Sequence, residues 1–138
     1  MNNLNIKNST SFQVNYDIFF QVWTILLNNE KKLNNETIIN LLLTNNEEIK
    51  NYNKRFRGVN KITDVLSFPC KNDHFLGDIM INIEIIYEQD KNNIENKLKI
   101  IFLHSVLHLL GYDHIATKDR KFMHKIEDKY KKLILEDY

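Results

Sequence analysis

The stretch from Ile100 to His114, IIFLHSVLHLLGYDH, constrains this chain more than any other. Its first part is apolar on every side, so as a helix it has no solvent face and must run through the middle of the molecule. Only His104, Ser105 and His108 interrupt it before Gly111. Residues four apart stack on one helix face, one turn above the other, so the two imidazoles share a face. Gly111 stands where a helix end is expected, because glycine enters the left-handed conformation that terminates helices. The chain then turns through Tyr112 and Asp113 and delivers a third imidazole, His114. Three histidines so placed converge on one metal and leave a fourth position open, the arrangement of a catalytic zinc. The expectation is one zinc per chain, held by His104, His108 and His114.

A lone buried histidine is more often a satisfied core residue than a ligand. Here three of the five histidines fall within eleven residues, with a glycine between the second and third. That spacing is similar to the metzincin metalloproteases, which carry a glutamate directly after the first histidine as general base. In this chain that position is Ser105. A serine hydroxyl does not take a proton from water near neutral pH, so the metal geometry is kept while the protease's base is missing.

With 138 residues, 43% of them hydrophobic, the chain is expected to form one compact domain over residues 1–138. No apolar run reaches the roughly 18 residues of a membrane span. The opening MNNLNIKNST lacks the layout of a secretory signal. A single cysteine, Cys70, excludes an internal disulfide and fits a reducing, cytoplasmic setting. Net charge is +1, so any signal for nucleic acid must be local. Twenty asparagines stand beside three glycines, one proline, one alanine and three arginines, as codon drift in an AT-rich genome would leave them. On that reading Gly58, Gly77, Gly111, Pro69 and Arg57 mark positions that the fold or the chemistry retained.

Along the chain, Leu4 to Lys7 reads as a short strand. Ile18, Phe19, Val22, Trp23 and Leu26 mark a helix over Tyr16 to Leu27, with Asn15 as its cap. Thr37 to Leu43 reads as a strand, and Thr44 with Glu47 as the capping box of a second helix. Ile49, Tyr52 and Phe56 form that helix's inner face, and Gly58 closes it. Thr63 to Phe68, stopped by Pro69, and Leu76 to Asn82 read as strands joined by a short polar link. Ile83 to Gln89 reads as a helix, Asp90 to Asn96 as an exposed connection, and the histidine helix follows. From Thr117 on, Phe122, Ile126, Tyr130 and Leu133 mark one face of a last helix. This order is α+β: a small mixed sheet of about four strands packed with helices around a central metal helix.

The segments NKRFRGVNKITDVLSFP, LGDIMI and HSVLHLLGYDH, followed by Met123 and Glu127, resemble the YbeY family of bacterial endoribonucleases. From Asn53 to Glu127 the likeness is specific; in the first fifty residues only the order of elements matches. Ser105 departs from the glycine of the family's H-G-x-L-H-L-x-G-Y-D-H signature, which places a hydroxyl beside the metal position. The resemblance implies zinc ligation by His104, His108 and His114, and a role for Arg57 toward the RNA substrate. It further implies a metal-dependent, single-strand-specific endoribonuclease that matures the 3′ end of small-subunit rRNA and takes part in ribosome quality control. The implied partners are rRNA and the small ribosomal subunit, with no membrane; a monomer is expected.

The residues accommodate that chemistry. Arg57 has the planar fork suited to a phosphate, though an arginine at a helix end is also an ordinary solvated side chain. Asp113 is placed either to orient a ligand imidazole or to hold its turn. Lys50, Lys54, Arg55, Arg57 and Lys61, with Tyr52 and Phe56 between them, can track a phosphate backbone and stack bases, or form a solvated helix face. Asp64 and Asp78 read as structural, His124 as exposed, and Met123 as core or as the floor of the metal site. Two other classes share the pattern. A metzincin-like peptidase needs a base from elsewhere and would hydrolyse peptides; a non-catalytic ribosome assembly factor would need zinc only to fold.

Overall fold

The computed structural model describes residues 3–70, 72, 74–112 and 117–135. Among the described residues four strands and five helices follow in the order β1 (Leu4–Asn8), α1 (Asp17–Asn29), β2 (Ile38–Thr44), α2 (Asn46–Arg57), β3 (Val65–Pro69), β4 (Phe75–Asn82), α3 (Ile83–Gln89), α4 (Ile94–Leu109) and α5 (Thr117–Ile134). The sheet order is β1-β2-β4-β3. β1, β2 and β4 run parallel, while β3 joins β4 antiparallel and forms one edge. The α+β class, the mixed four-stranded sheet and the central histidine helix are all as expected. No helix among the described residues is long and apolar enough to cross a membrane.

One face of the sheet carries the main core. Ile39, Leu41 and Leu43 of β2 and Ile79 and Ile81 of β4 are buried there with Phe19, Trp23 and Leu26 of α1. α4 adds Phe102, Leu103, Val106 and Leu107, and Phe19 meets Phe102 edge-on at 5.4 Å. All five apolar positions expected to face inward on α1 are buried. Asn15 is not that helix's cap: the cap position is Tyr16, which makes no side-chain capping bond, and Asn15 one residue before it accepts the Asp17 N–H at 3.1 Å. A smaller cluster of Ile49, Leu66 and Met80 lies on the sheet's opposite face, where α2 packs.

Gly77 of β4 is fixed by close approach. A β-carbon there would stand 2.4 Å from the Phe68 carbonyl oxygen and 3.3 Å from the Leu109 side chain, so any larger residue would push β3 or α4 away. Two lysines finish helices that end inside the molecule. Lys32 donates to the Leu110 carbonyl beyond α4 at 3.2 Å, and the buried Lys99 donates to the Ile134 carbonyl at the end of α5. Cations suit those ends because helix carbonyls carry partial negative charge.

Several expectations need correcting. Thr44 is not the cap of α2 but the last residue of β2, paired with Asn82. Asn45 caps α2 instead, accepting the Glu48 N–H at 2.9 Å. Helix α4 starts at Ile94, so the exposed connection is shorter than Asp90 to Asn96. Phe56 is not on an inner face; it is 58% exposed. On α5 the buried stripe is Met123, Glu127, Tyr130 and Ile134, whereas Phe122 and Leu133 are exposed. The spacing 4-3-4 is as helical as the expected stripe, but it contains a glutamate, which a search for apolar residues passes over.

Glu30, just beyond α1, ties three elements together. Its carboxylate accepts hydrogen bonds from the hydroxyls of Tyr112, at 2.9 Å, and of the buried Tyr130. Burial, then the Glu30 hydrogen bond and charge, push Tyr112 up to about 12 and Tyr130 still higher. Folded values above the usual 10 for tyrosine mean a contribution to stability that is intact below pH ~10 and lost as pH rises through about 12. Tyr130→Phe is expected to destabilise the protein by about 1.5–3 kcal/mol, the range for a hydrogen bond to a charged group. Thermal melts at rising pH test the rest. The wild-type Tm should fall above pH ~10, and the variant's should fall less. A wild-type Tm flat across that range would contradict this account.

Candidate metal and RNA site

Helix α4 presents His104 and His108 near its C-terminus, one turn apart, and both line a cavity of about 360 Å³. Across from them the edge strand β3 contributes Val65, Leu66 and Ser67, and the end of α2 contributes Arg57. Three elements distant in sequence thus bring two imidazoles and one guanidinium to a single hollow. Arg57 and His108 are exposed; His104 is half-buried.

The position of His104 is secured from behind. Its Nδ1 lies 2.5 Å from Oε1 of Glu127 on α5, and Glu127 is only 7% exposed. A buried carboxylate is an acceptor, so the imidazole Nδ1–H donates to it, and Nε2 carries the lone pair. This is the tautomer, and the carboxylate–imidazole pairing, found behind metal-ligating histidines. The donor set therefore fits a borderline-soft divalent ion such as zinc. His114 and Asp113 lie outside the described residues, and among the described residues no group of three metal-ligating side chains forms.

Glu127 is the residue whose role sequence reasoning left unassigned. The available signal was a carboxylate at helical spacing between the buried Met123 and Tyr130. Met123 itself is fully buried in the main core. Ser105 is buried, and its hydroxyl donates to the Ile101 carbonyl at 2.8 Å, one turn back along α4. The hydroxyl that departs from the family signature is thereby tied to the helix backbone, although Ser105 still lines the cavity.

The remaining singled-out residues stand apart from the hollow. Asp64 passes its carbonyl to the Asn82 N–H, and Asp78 accepts from Asn40 on the sheet's other face. His124 is exposed on α5, as expected. The basic residues Lys54 and Arg55 share the last turn of α2 with Arg57, where all three suit the helix's negative end.

The comparisons with known proteins agree with this architecture. The family described as endoribonuclease YbeY matches residues 3–134. The endoribonuclease YbeY of Pelagibacter ubique is 47% identical over 113 residues, covering 75% of this chain and 71% of that protein. The endoribonuclease YbeY of Buchnera aphidicola is 35% identical over 133 residues, covering 91% of this chain and 82% of its own. Among solved structures, TM1509 from Thermotoga maritima superposes with a TM-score of 0.67 at 27% identity, covering 95% of this chain and 88% of that one. The family match spans both the sheet and the histidine helix, and on that ground the chain belongs to the YbeY family of endoribonucleases.

Proposed function

We propose that this protein is a zinc-dependent endoribonuclease specific for single-stranded RNA, acting in the cytoplasm on the 3′ end of small-subunit rRNA and in ribosome quality control. The observation that carries the reading is one cavity lined by His104, His108 and Arg57, with His104 backed by the buried Glu127. His104, His108 and His114 would hold the ion. Bound there, zinc would supply a Lewis acid for a phosphoryl oxygen and a water whose pKa is lowered toward about 7.

The protein's own groups do the rest. Glu127 keeps the Nδ1 proton on His104 and so fixes which ring nitrogen faces a ligand. The Arg57 guanidinium supplies a permanent charge and a planar donor fork for the phosphate as negative charge develops on it. Ser105 offers no carboxylate, and among the described residues that line the hollow none is an anion that would repel an approaching phosphate. That absence separates this site from a peptidase of similar spacing, which places a glutamate base at the same position.

About one zinc per chain is expected in metal-replete protein. His108→Ala should abolish both the bound metal and the cleavage of a defined rRNA precursor. Glu127→Gln should bind zinc about 10–100-fold more weakly, the usual effect of losing a partner behind a ligand histidine. Elemental analysis and metal titration measure both. Full metal retention in a His104, His108 and His114 triple alanine variant would refute the assignment.

Arg57→Ala is expected to lower RNA cleavage by about 10²–10³-fold, comparable to removing a donor to a developing oxyanion. Metal content and Tm should stay as in wild type, because Arg57 is exposed. Parallel losses of stability and activity would make Arg57 a structural residue.

Ser105 tests what kind of bond the site is built for. Ser105→Gly should retain ribonuclease activity, and Ser105→Glu should lose it while keeping the metal. Two like charges about 4 Å apart oppose each other by roughly 4 kcal/mol at an effective dielectric near 20, which outweighs any added base. Peptide hydrolysis by the glutamate variant would instead favour a protease-like site.

A further inference from the structure

On the opposite face of the sheet from α4 lies a second, larger cavity of about 570 Å³. Its floor is built in rows by the strand register. Asn5, Asn40, Asp78 and Phe68 stand side by side across β1, β2, β4 and β3. The amides form a ladder: Asn5 Nδ2 donates to Asn40 Oδ1 at 3.1 Å, and Asn40 Nδ2 donates to Asp78 Oδ1 at 3.1 Å. The wall is aromatic. Tyr52 and Phe56 of α2 are stacked at 5.6 Å, and Phe56 meets Phe68 edge-on at 5.7 Å. Phe56 is the most exposed large apolar side chain among the described residues, at 58%.

The two cavities share the edge strand and the end of α2. Phe56 lines one and its neighbour Arg57 lines the other; Phe68 lines one and its neighbour Ser67 the other. A strand of RNA whose phosphate reaches Arg57 therefore has an aromatic surface one residue away, over the rim of β3. Lys7 stands at the cavity, and Lys54 and Arg55 lie on the last turn of α2. One cation, Lys7, and one carboxylate, Asp78, line the cavity, and the last turn of α2 that adjoins Phe56 is basic. That combination matches a nucleotide, whose backbone is anionic and whose base edge offers N–H donors. Asp78 has accepted one hydrogen bond, and a carboxylate has room for about three more.

We propose that this second cavity is a base-binding subsite. It takes one unpaired base of the RNA strand, flanking the scissile phosphodiester, stacked on Phe56 with its N–H edge toward Asp78. The inference rests on the ribonuclease reading above and adds to it a determinant of substrate choice. An exposed aromatic wall stacks any base, and this accounts for a preference for single strands, since a paired base cannot leave its stack without cost. The carboxylate then favours bases that carry an amino group over uracil, which lacks one.

The test uses the metal-replete protein and short single-stranded 2′-O-methyl RNAs that carry one abasic residue at successive positions. Equilibrium binding is read by fluorescence anisotropy, and cleavage is read separately on all-ribose RNA. Phe56→Ala should weaken binding about 5- to 150-fold, the loss of one stacked base. One abasic position should cause the same loss in wild type and no further loss in Phe56→Ala. Asp78→Asn should narrow the preference for cytosine, adenine or guanine over uracil at that position, with metal content and Tm unchanged. Additive losses, or no sensitive position, would overturn the subsite while leaving the ribonuclease reading in place. Unchanged RNA binding by Phe56→Ala would do the same and point to a protein partner in the cavity. Wild-type protein that neither binds nor cuts single-stranded RNA would overturn both.

Discussion

Burial of α4 against the sheet and α1 fixes where its imidazoles stand. Phe102, Leu103, Val106 and Leu107 are all at most 1% exposed. Each such side chain contributes roughly 1.5–3 kcal/mol by leaving water. Turning the helix by one residue, about 100°, would expose several of them and carry His104 into the apolar core. The helix therefore has one acceptable rotation, and in that rotation His104 and His108 open toward the edge strand. In that rotation one ring nitrogen of His104 faces away from the cavity, and Glu127 meets it. A buried carboxylate without a partner costs several kcal/mol, so the pairing anchors α5 as firmly as it anchors the imidazole.

Much of this could be read in the sequence because apolar period and chemistry agreed. The α1 stripe, the length of α3 and the histidine helix each carried a strong repeat with a clear stop. Reading failed where a polar residue lies inside a buried stripe. Glu127 broke the apparent pattern of α5, and the chosen face came out rotated onto Phe122 and Leu133. It failed again where two residues could each cap: Thr44 and Asn45 are both good cap formers, and the pairing of Thr44 with Asn82 gave the role to Asn45. Phe56 follows the helical period of Ile49 and Tyr52, yet α2 runs past the apolar cluster of Ile49, Leu66 and Met80, and below Phe56 the sheet presents polar side chains. Period alone does not reveal where a neighbour's apolar surface ends.

The scarcity of glycine proved informative. All three glycines have positive φ, and the close contacts at Gly77 leave no space for a side chain. Gly77 sits where β4 faces Pro69 across the ladder and where Leu109 of α4 comes down on the sheet. The site cavity depends on that closeness, since it sets how near the end of α4 lies to β3. Arg57, one of only three arginines, stands in the same hollow. In a chain so enriched in asparagine, what was not replaced traces the geometry of the centre.

The contact between His104 and Glu127 also has a consequence in time. The carboxylate lies 23 residues downstream of the imidazole it orients. At a synthesis rate of about 5–20 residues per second, it leaves the ribosome about 1–5 seconds later. Until α5 emerges and docks, the carboxylate that orients the imidazole is missing from the centre. A nascent chain is thus an unarmed one. A protein built to cut RNA spends its most intimate contact with a ribosome before its own centre has been assembled.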